Sequence, residues 1–308
     1  MKPKSMIVAI VLILSFMGCN AQNEKNEANF PELKGPYLGQ KPPGITPEIF
    51  APGIINPDLH GCPVFSKNGN EAYWNIMGSK HISGSFIKDG KWTKPKELDF
   101  FKKLEDSGEP CLSIDGNTLF VVSRTAIEEG LPEKLNIWFS NKVQGANLWG
   151  KPQPLSKIVN SIALQWQISF AENGNLYFHS LSSGGGDIFI AEFKNGSYSE
   201  PYVLGSNVNT ELYEVTPYIS PDESYIIFSR LKLGSPIKSG LFISFKEING
   251  TWTKAISLDI LNKDNSHQLC PNLSPDGKYL FYISQQTGPG NTTFWVDAKI
   301  IEKLKLKD

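Results

Sequence analysis

The sequence has 308 residues, with 30 basic and 31 acidic side chains and a net charge of −1 at neutral pH. This balance leaves no basic field that could hold a nucleic-acid backbone, so nucleic-acid binding is excluded. Glycine and proline are frequent, at 27 and 21 residues, as expected of a chain with many tight turns.

The first nineteen residues have the features of a signal sequence. Lys2 and Lys4 precede an apolar run, Met6 to Met17, that is too short to cross a membrane as a stable helix. The run ends in a small residue followed by Cys19, which resembles the lipobox of bacterial lipoproteins. We predict that residues 1–19 are a lipoprotein signal peptide and that Cys19 is lipidated. An ordinary cleaved signal and an uncleaved anchor are the alternatives, and all three direct the chain out of the cytoplasm.

The next segment is polar. Residues 20 to 34 are rich in Asn, Glu, Lys and Gln and contain few apolar side chains. Such a segment buries too little surface to offset the entropy of its ordering. We therefore predict a flexible tether over residues 20–43 and a folded domain over residues 44–308.

A hairpin motif recurs through the predicted domain. Its fullest copy is Ser274-Pro275-Asp276-Gly277, which is followed by an aromatic-rich, strand-prone run from Tyr279 to Ser284. Asp-Gly favours a hairpin because Gly takes a positive φ without a Cβ clash. Five turns lie roughly fifty residues apart, near residues 69, 116, 174, 223 and 277. A repeat of this length built from strands and turns predicts a β-propeller.

A second motif marks the outer strand of each repeat. An aromatic residue comes three residues before Pro or two before Lys, in the segments Trp92–Pro95, Trp149–Pro152, Tyr198–Pro201 and Trp252–Lys254. Proline suits an edge strand, where its missing N–H faces solvent. A third strand lies between the two motifs, so each repeat predicts four antiparallel strands.

The last repeat lacks this outer strand, and an unmatched copy lies at the other end of the domain. Residues 44–50 have the motif's spacing and precede the first hairpin. We predict that they pair with the third strand of the last blade, near Thr293 to Val296, and close the ring. Closure removes two open sheet edges. The prediction is an all-β propeller of five four-stranded blades, with six blades as the alternative.

The Ser-Pro-Asp-Gly run and its repeats resemble the WD40-like repeat of TolB-type bacterial β-propellers. The resemblance covers roughly residues 44 to 300. It implies a propeller of the bacterial cell envelope, with six blades and with binding partners more than substrates. Function in such propellers depends on particular sites rather than on the fold.

Polar residues cluster in the loops that lead into the inner strands, where propeller ligands commonly bind. As a ligand-binding set at this channel mouth we select His60, Glu109, Gln165, Glu214, His267 and Gln268. Convergent polar groups in a concavity are the default site. The alternative interpretation is that these groups cap loop backbones and are solvated.

Two catalytic interpretations compete with binding. Glu109 and Glu214 could form the paired carboxylates of a glycoside-active enzyme. A metal could be held by His60 and His267 with Glu109 or Asp58, but the sequence contains no metal-binding motif. We assign no catalytic residue, no metal and no cofactor.

Three cysteines follow Cys19. We expect Cys62, Cys111 and Cys270 to be buried free thiols, because an odd count does not suit a disulfide-built scaffold. A Cys62–Cys270 disulfide that fastens the ring is the alternative.

Together these features predict a monomeric, non-catalytic binding or scaffolding lipoprotein of the cell envelope. Only its lipid would enter the outer membrane, and the propeller would face the periplasm or the cell surface. Its partner would be an envelope protein, a peptide or a glycan, bound at the channel mouth. The competing function is the five-bladed glycoside-active enzyme.

Overall fold

A computed structural model describes residues 30–55, 58–131, 134–143, 148–232, 234, 238–262, 266–286 and 290–305. The predicted signal peptide, the lipidation site Cys19 and the first part of the predicted tether lie outside these residues. Within them the chain forms five antiparallel sheets of four or five strands, arranged as the blades of a propeller, and a separate two-stranded hairpin. The predicted all-β, five-bladed propeller is therefore confirmed, and the sixth blade of the alternative is not formed.

Each blade follows the predicted order, from an inner strand to an outer one. Blade 1 consists of Val64–Phe65, Glu71–Asn75, Ile82–Lys88 and Lys96–Glu97. Blade 2 consists of Gly108–Leu112, Thr118–Ser123, Asn136–Asn141 and Gln153–Pro154. Blade 3 consists of Leu164–Phe170, Leu176–Ser180, Asp187–Ala191 and Tyr202–Val203. Blade 4 consists of Tyr213–Ile219, Tyr225–Lys232, Lys238–Phe245 and Ile256–Ser257. Blade 5 consists of Ser266–Leu273, Tyr279–Gln286, Asn291–Asp297 and the N-terminal strand Glu48–Ile49.

Short elements complete the described chain. Additional two-residue strands are Lys91–Trp92, Phe193–Lys194 and Ser197–Tyr198. The helices are Lys299–Lys305 and three 3-10 turns, Tyr37–Gly39, Asp99–Phe101 and Val159–Ser161. In the described part of the chain, no helix combines the length and the apolar character needed to cross a bilayer.

The hairpin turns between the first and second strands follow the predicted chemistry, with one informative exception. Gly277 takes a φ of 70°, as the Asp-Gly turn requires. At the corresponding position of blade 4, Glu223 takes a φ of 56°. Its carboxylate accepts hydrogen bonds from Asn175 and Tyr177 of blade 3, at 2.9 and 2.5 Å. These bonds offset the strain of a left-handed non-Gly residue, so the turn survives without glycine.

The N-terminal strand closes the ring as predicted. Glu48 pairs with Trp295 and Ile49 with Phe294. The amide of the next residue, Phe50, donates to the carbonyl of Thr293 at 2.9 Å. The Phe50 side chain is buried and meets Trp295 and Phe281 edge to face, with ring centroids 5.0 and 5.1 Å apart. Backbone pairing and aromatic packing thus join the two ends of the domain.

The structure differs from the predicted tether in the segment 30–43. Tyr37 and Leu38 are buried in the core shared by blades 1 and 5. The Tyr37 ring meets Phe65 and Tyr279 edge to face, at 5.1 and 5.4 Å. The indole of Trp92 also donates to the carbonyl of Gly35 at 2.7 Å. Several side chains of this segment thus pack on the core, and the packed chain begins well before residue 44.

The closure predicts unequal costs for two neighbouring substitutions. Phe50→Ala should lower the free energy of unfolding by about 3–5 kcal/mol, because it empties an aromatic site between the first and last blades. Ile49→Ala in the same strand is the matched control. Its side chain is 51% exposed, so the loss should stay within about 0.5 kcal/mol. Chemical denaturation of both variants measures the difference, and equal costs would contradict the packing described for Phe50.

Candidate functional site

The inner strands are interrupted by β-bulges where they line the channel. In blades 2 to 5 the pairing register shifts in mid-strand. One residue in each of these bulges has a positive φ: Glu109 at 51°, Trp166 at 20°, Thr216 at 49° and Cys270 at 54°. Non-Gly residues seldom adopt this conformation, and it concentrates at functional sites. A bulge also redirects a side chain. These four residues, the bulge ring, are therefore candidates for the functional part of the channel.

Side chains bind the N–H groups that the bulges remove from the strand ladders. The Glu109 amide donates to Asn75 Oδ1 of blade 1 at 3.2 Å. The Cys270 amide donates to Thr216 Oγ1 of blade 4 at 3.2 Å. The Thr216 amide makes a longer bond, 3.5 Å, to Nδ1 of His179 in blade 3. Burial lowers the pKa of His179 to about 4, so the ring stays neutral and can accept. Each of these bulges is thus locked by the preceding blade.

Gln167 crosses the channel next to the bulge ring. In blades 2, 4 and 5 a proline follows the bulge residue, and Gln167 takes that position in blade 3. Its amide donates to the carbonyls of Pro271 and Pro217, at 2.9 and 3.3 Å. The cavity beside it holds only about 30 Å³. Gln167 therefore constricts the channel and separates its two ends, which we call the loop end and the hairpin end.

At the loop end, His60 of blade 1 pairs with Glu109 of blade 2. His60 Nδ1 contacts Glu109 Oε1 in a close ion pair. The Glu109 side chain is almost fully buried, whereas that of His60 is 23% exposed. Gly61 lies against the same carboxylate, and a Cβ at this position would collide with it. A glycine here is what lets Glu109 reach across to the histidine.

Trp166 completes this loop-end cluster. Its ring meets that of His60 edge to face, with centroids 4.5 Å apart. Burial by itself would lower the pKa of His60, but the hydrogen bond and the charge of Glu109 outweigh it and raise the pKa above 6.5. Because Glu109 accepts at Nδ1, the Nε2 edge of the ring is left for other partners. His60, Glu109 and Trp166, from three successive blades, thus form one polar and aromatic cluster.

Glu214, another member of the predicted set, is not available at the channel mouth. It is fully buried, and Oε1 accepts from Arg230 Nε at 2.6 Å and from the Thr210 hydroxyl at 2.7 Å. Oε2 accepts from the Thr210 amide at 2.9 Å. Arg230 in turn lies over the Phe242 ring, 4.4 Å from its centroid. Both carboxylate oxygens therefore serve a buried structural pair.

The remaining predicted residues lie apart from this cluster. Gln268 is buried and donates to the hydroxyls of Ser266 and Ser284, at 2.9 and 3.3 Å. Gln268 Oε1 and His267 Nδ1 are buried without a hydrogen-bond partner among the described residues. Gln165 is half-buried beside Trp166. The structure brings together only His60 and Glu109 from the predicted set.

The structure also shows the state of the three cysteines and bears on the predicted alternative of a metal site. Cys62, Cys111 and Cys270 are free thiols, so the disulfide alternative is not formed. Burial raises the pKa of all three, that of Cys111 to about 12, which keeps them protonated and unreactive. Across the described ranges, no group of three or more His, Cys, Asp or Glu side chains is arranged to hold a metal ion.

The sequence interpretation missed Trp166, Thr216 and the bridging role of Gln167. A usable signal was present, because Glu109, Thr216 and Cys270 each directly precede a proline of an inner strand. That repeated position marks the bulge. Trp166 could then have been found by aligning blade 3 with the others, although its proline is replaced.

Comparisons with known proteins bear on the fold. No protein-family model matches the chain, and no curated protein matches it. Among solved structures, an endo-arabinase from Bacteroides thetaiotaomicron VPI-5482 aligns with 14% identity and a TM-score of 0.51, over 81% of this chain and 97% of that one. TolB from Acinetobacter baumannii aligns with 14% identity and a TM-score of 0.47, over 78% of this chain but only 54% of TolB.

An α-L-arabinofuranosidase from Podospora anserina, solved in complex with cellotriose, aligns with 11% identity and a TM-score of 0.47, over 82% of this chain and 93% of that one. At 14% identity, the similarity to the endo-arabinase shows a shared fold and does not extend to activity. The site must be judged on its own residues.

The His60–Glu109 pair predicts a pH-dependent contribution to stability. The folded-state pKa of His60 is raised, so its contribution is complete below the unfolded pKa of about 6.5 and is lost as pH rises through the folded value. The free energy of unfolding should therefore differ more between wild type and His60→Gln at about pH 5 than at about pH 9. Urea titrations at both pH values measure this, and a difference that is constant or larger at high pH would contradict the pairing.

The Glu214–Arg230 pair predicts a purely structural effect. Glu214→Gln should lower the free energy of unfolding by about 3–5 kcal/mol, because it leaves the Arg230 charge buried without its counter-ion. Glu211→Gln is the control, since this exposed glutamate is nearby in sequence and should cost less than about 0.5 kcal/mol. Chemical denaturation of both variants measures the two changes in the free energy of unfolding. A small cost for Glu214→Gln would contradict the buried pairing with Arg230.

Proposed function

We propose that this protein is an envelope-anchored, non-catalytic binding propeller that recognises a protein, peptide or glycan at the loop end of its channel. The main support for this proposal is that both candidate carboxylates are already paired with basic side chains of the protein. Glu109 holds His60, and Glu214 holds Arg230. Neither carboxylate is free to act as an acid, base or nucleophile on a substrate.

The loop-end cluster offers groups suited to recognition. The Nε2 edge of His60 can donate or accept a hydrogen bond according to its protonation state. Trp166 is half-buried and provides an aromatic surface, and Gln165 provides an amide beside it. A few convergent polar groups with one aromatic residue are the usual composition of a binding site. The strained backbone at Glu109 and Trp166 supports the same conclusion, since strain of this kind persists where function requires it.

The path of the N-terminal segment supports this choice of end. Tyr37 hydrogen-bonds with the side chains of Ser274 and Asp276 in a hairpin turn, so the segment lies along the hairpin end. If Cys19 carries the lipid, the ten residues 20–29 connect it to Phe30, a reach of at most about 40 Å. The hairpin end would then face the membrane. The loop end would point away from it, towards partners in the periplasm or outside the cell.

A glycoside-active enzyme is the competing function, and the shared fold with an endo-arabinase is what favours it. Hydrolysis would require Glu109 and Glu214 as the working carboxylates. Arabinan and a panel of chromogenic glycosides should therefore give no turnover above background. Turnover that disappears in Glu109→Gln and in Glu214→Gln variants that remain folded would overturn the binding proposal.

Site-specific photo-crosslinking in the native envelope tests the binding proposal directly. A photoreactive residue replaces Gln165 at the loop end in one protein and Lys278 at the hairpin end in another. We expect a discrete adduct from position 165, and its yield should fall several-fold in the His60→Gln background. Lys88→Gln, at an exposed position of blade 1, is the control and should leave the yield unchanged. An adduct that forms only from position 278, or one indifferent to His60→Gln, would contradict the proposal.

A further inference from the structure

The hairpin end of the channel contains a cavity that no part of the proposed function uses. It holds about 330 Å³, and its wall is formed by the turns after the inner strands of blades 1, 2, 4 and 5 and by the end of the inner strand of blade 3. Ligand pockets in proteins begin at roughly 300 Å³. Gln167 and the bulge ring lie between this cavity and the loop end. The cavity is therefore a separate candidate site.

Aromatic and apolar side chains form much of its wall. Phe170, Tyr218 and Tyr225 line the cavity, and all three are half-buried. Phe170 is held by stacking on Phe120, with centroids 4.2 Å apart, and the two tyrosine rings lie 6.4 Å apart. These ring faces are pre-arranged, so a ligand does not have to order them on binding.

Several polar groups in the wall make few or no hydrogen bonds within the described part of the protein. Among the described residues, neither the Tyr218 nor the Tyr225 hydroxyl has a hydrogen-bond partner. The Asn272 amide makes one long bond, 3.5 Å, to the carbonyl of Pro63. Burial raises the pKa of Tyr225 to about 12 and that of Tyr218 well above its ordinary value, so both phenols keep their protons and can donate. A purely apolar occupant would leave these groups unpaired, which is unfavourable.

The charges of the cavity lining cancel. Its lining has one lysine and one aspartate, Lys67 and Asp276. Asp276 also forms an ion pair with Lys278 at 3.1 Å and accepts from the Ser274 hydroxyl at 2.6 Å. The lining side chains therefore carry no net charge of their own, and the nearby carboxylate of Asp222 adds a negative charge beside the two tyrosines. The wall thus combines aromatic faces with hydroxyl and amide groups.

We propose that the hairpin-end cavity binds a neutral sugar unit, with its C–H face on the aromatic rings and its hydroxyls paired to Tyr218, Tyr225 and Asn272. A sugar ring satisfies both properties of the wall, because it is apolar on its faces and hydroxylated at its edges. The cavity volume suits a mono- or disaccharide. This proposal is independent of the loop-end partner, since the two sites lie on opposite sides of the constriction.

Ligand-observed NMR and calorimetry on the full chain test the proposal. The neutral probes are glucose, galactose, arabinose, N-acetylglucosamine and cellobiose, and the comparison probes are glucuronate, glucosamine and indole. We expect at least one neutral sugar to bind with a millimolar dissociation constant, more tightly than its charged analogue. Tyr225→Phe, which keeps the ring and removes the hydroxyl, should weaken binding about five- to tenfold.

Tyr213→Phe is the matched control, because it makes the same change at the loop-end start of the same blade and should leave sugar binding unchanged. Thermal unfolding of both variants checks that they remain folded. The proposal is overturned if no neutral sugar binds at tens of millimolar. It is also overturned if indole alone binds, or if Tyr225→Phe and Tyr213→Phe have equal effects. Crosslinking at the loop end does not enter these readouts, so the two proposals can fail separately.

Discussion

The backbone conformation in the middle of the inner strands is the constraint on which the channel depends. Five strands converge on one axis, and in blades 2 to 5 the ladder is broken there by a bulge. Each bulge leaves an N–H group that must find another partner. In blades 2, 4 and 5 these partners are Asn75, His179 and Thr216, each from the preceding blade. The strain is thus supported by contacts between blades, and it places Glu109 and Trp166 where they meet His60.

Those contacts require a closed ring, which one short strand completes. The pairing of Glu48–Ile49 is only two residues long, so aromatic packing must contribute much of the stability at the junction. Phe50 and Tyr37 both enter the core between blades 1 and 5 and meet the same Phe281 ring. The segment before the strand therefore acts as part of the closure. It also fixes where an N-terminal anchor would leave the domain, at the hairpin end.

Most of the fold could be predicted from the sequence because it is encoded locally and five times. Turns such as Asp276-Gly277 and the aromatic-proline outer strands set the blades, and the unmatched copy at residues 44–50 revealed the closure. The packing of Tyr37 could not be predicted in this way, since its partners Phe65 and Tyr279 lie far along the chain. Composition averaged over a segment does not show which of its side chains anchor it to a distant core.

The candidate site was less predictable for a related reason. Loop position suggested His60 and Glu109, which the structure brings into contact, but it could not show which polar groups are already satisfied inside the fold. Glu214 reads as a free carboxylate until Arg230 is placed beside it. Similarly, Trp166 looks like an ordinary strand residue until the bulge turns it towards His60. Which buried polar side chains bond to each other depends on how the strands are aligned. A sequence motif does not specify that alignment.

The proposed recognition cluster depends on the contact through which Glu109 holds His60. NMR titration of the His60 ring in the wild type and in Glu109→Gln tests it most directly. The structure predicts a His60 pKa above 6.5 in the wild type and a clear fall in the variant, where burial acts without the carboxylate. A His60 pKa at or below 6.5 that is unchanged by Glu109→Gln would contradict the account.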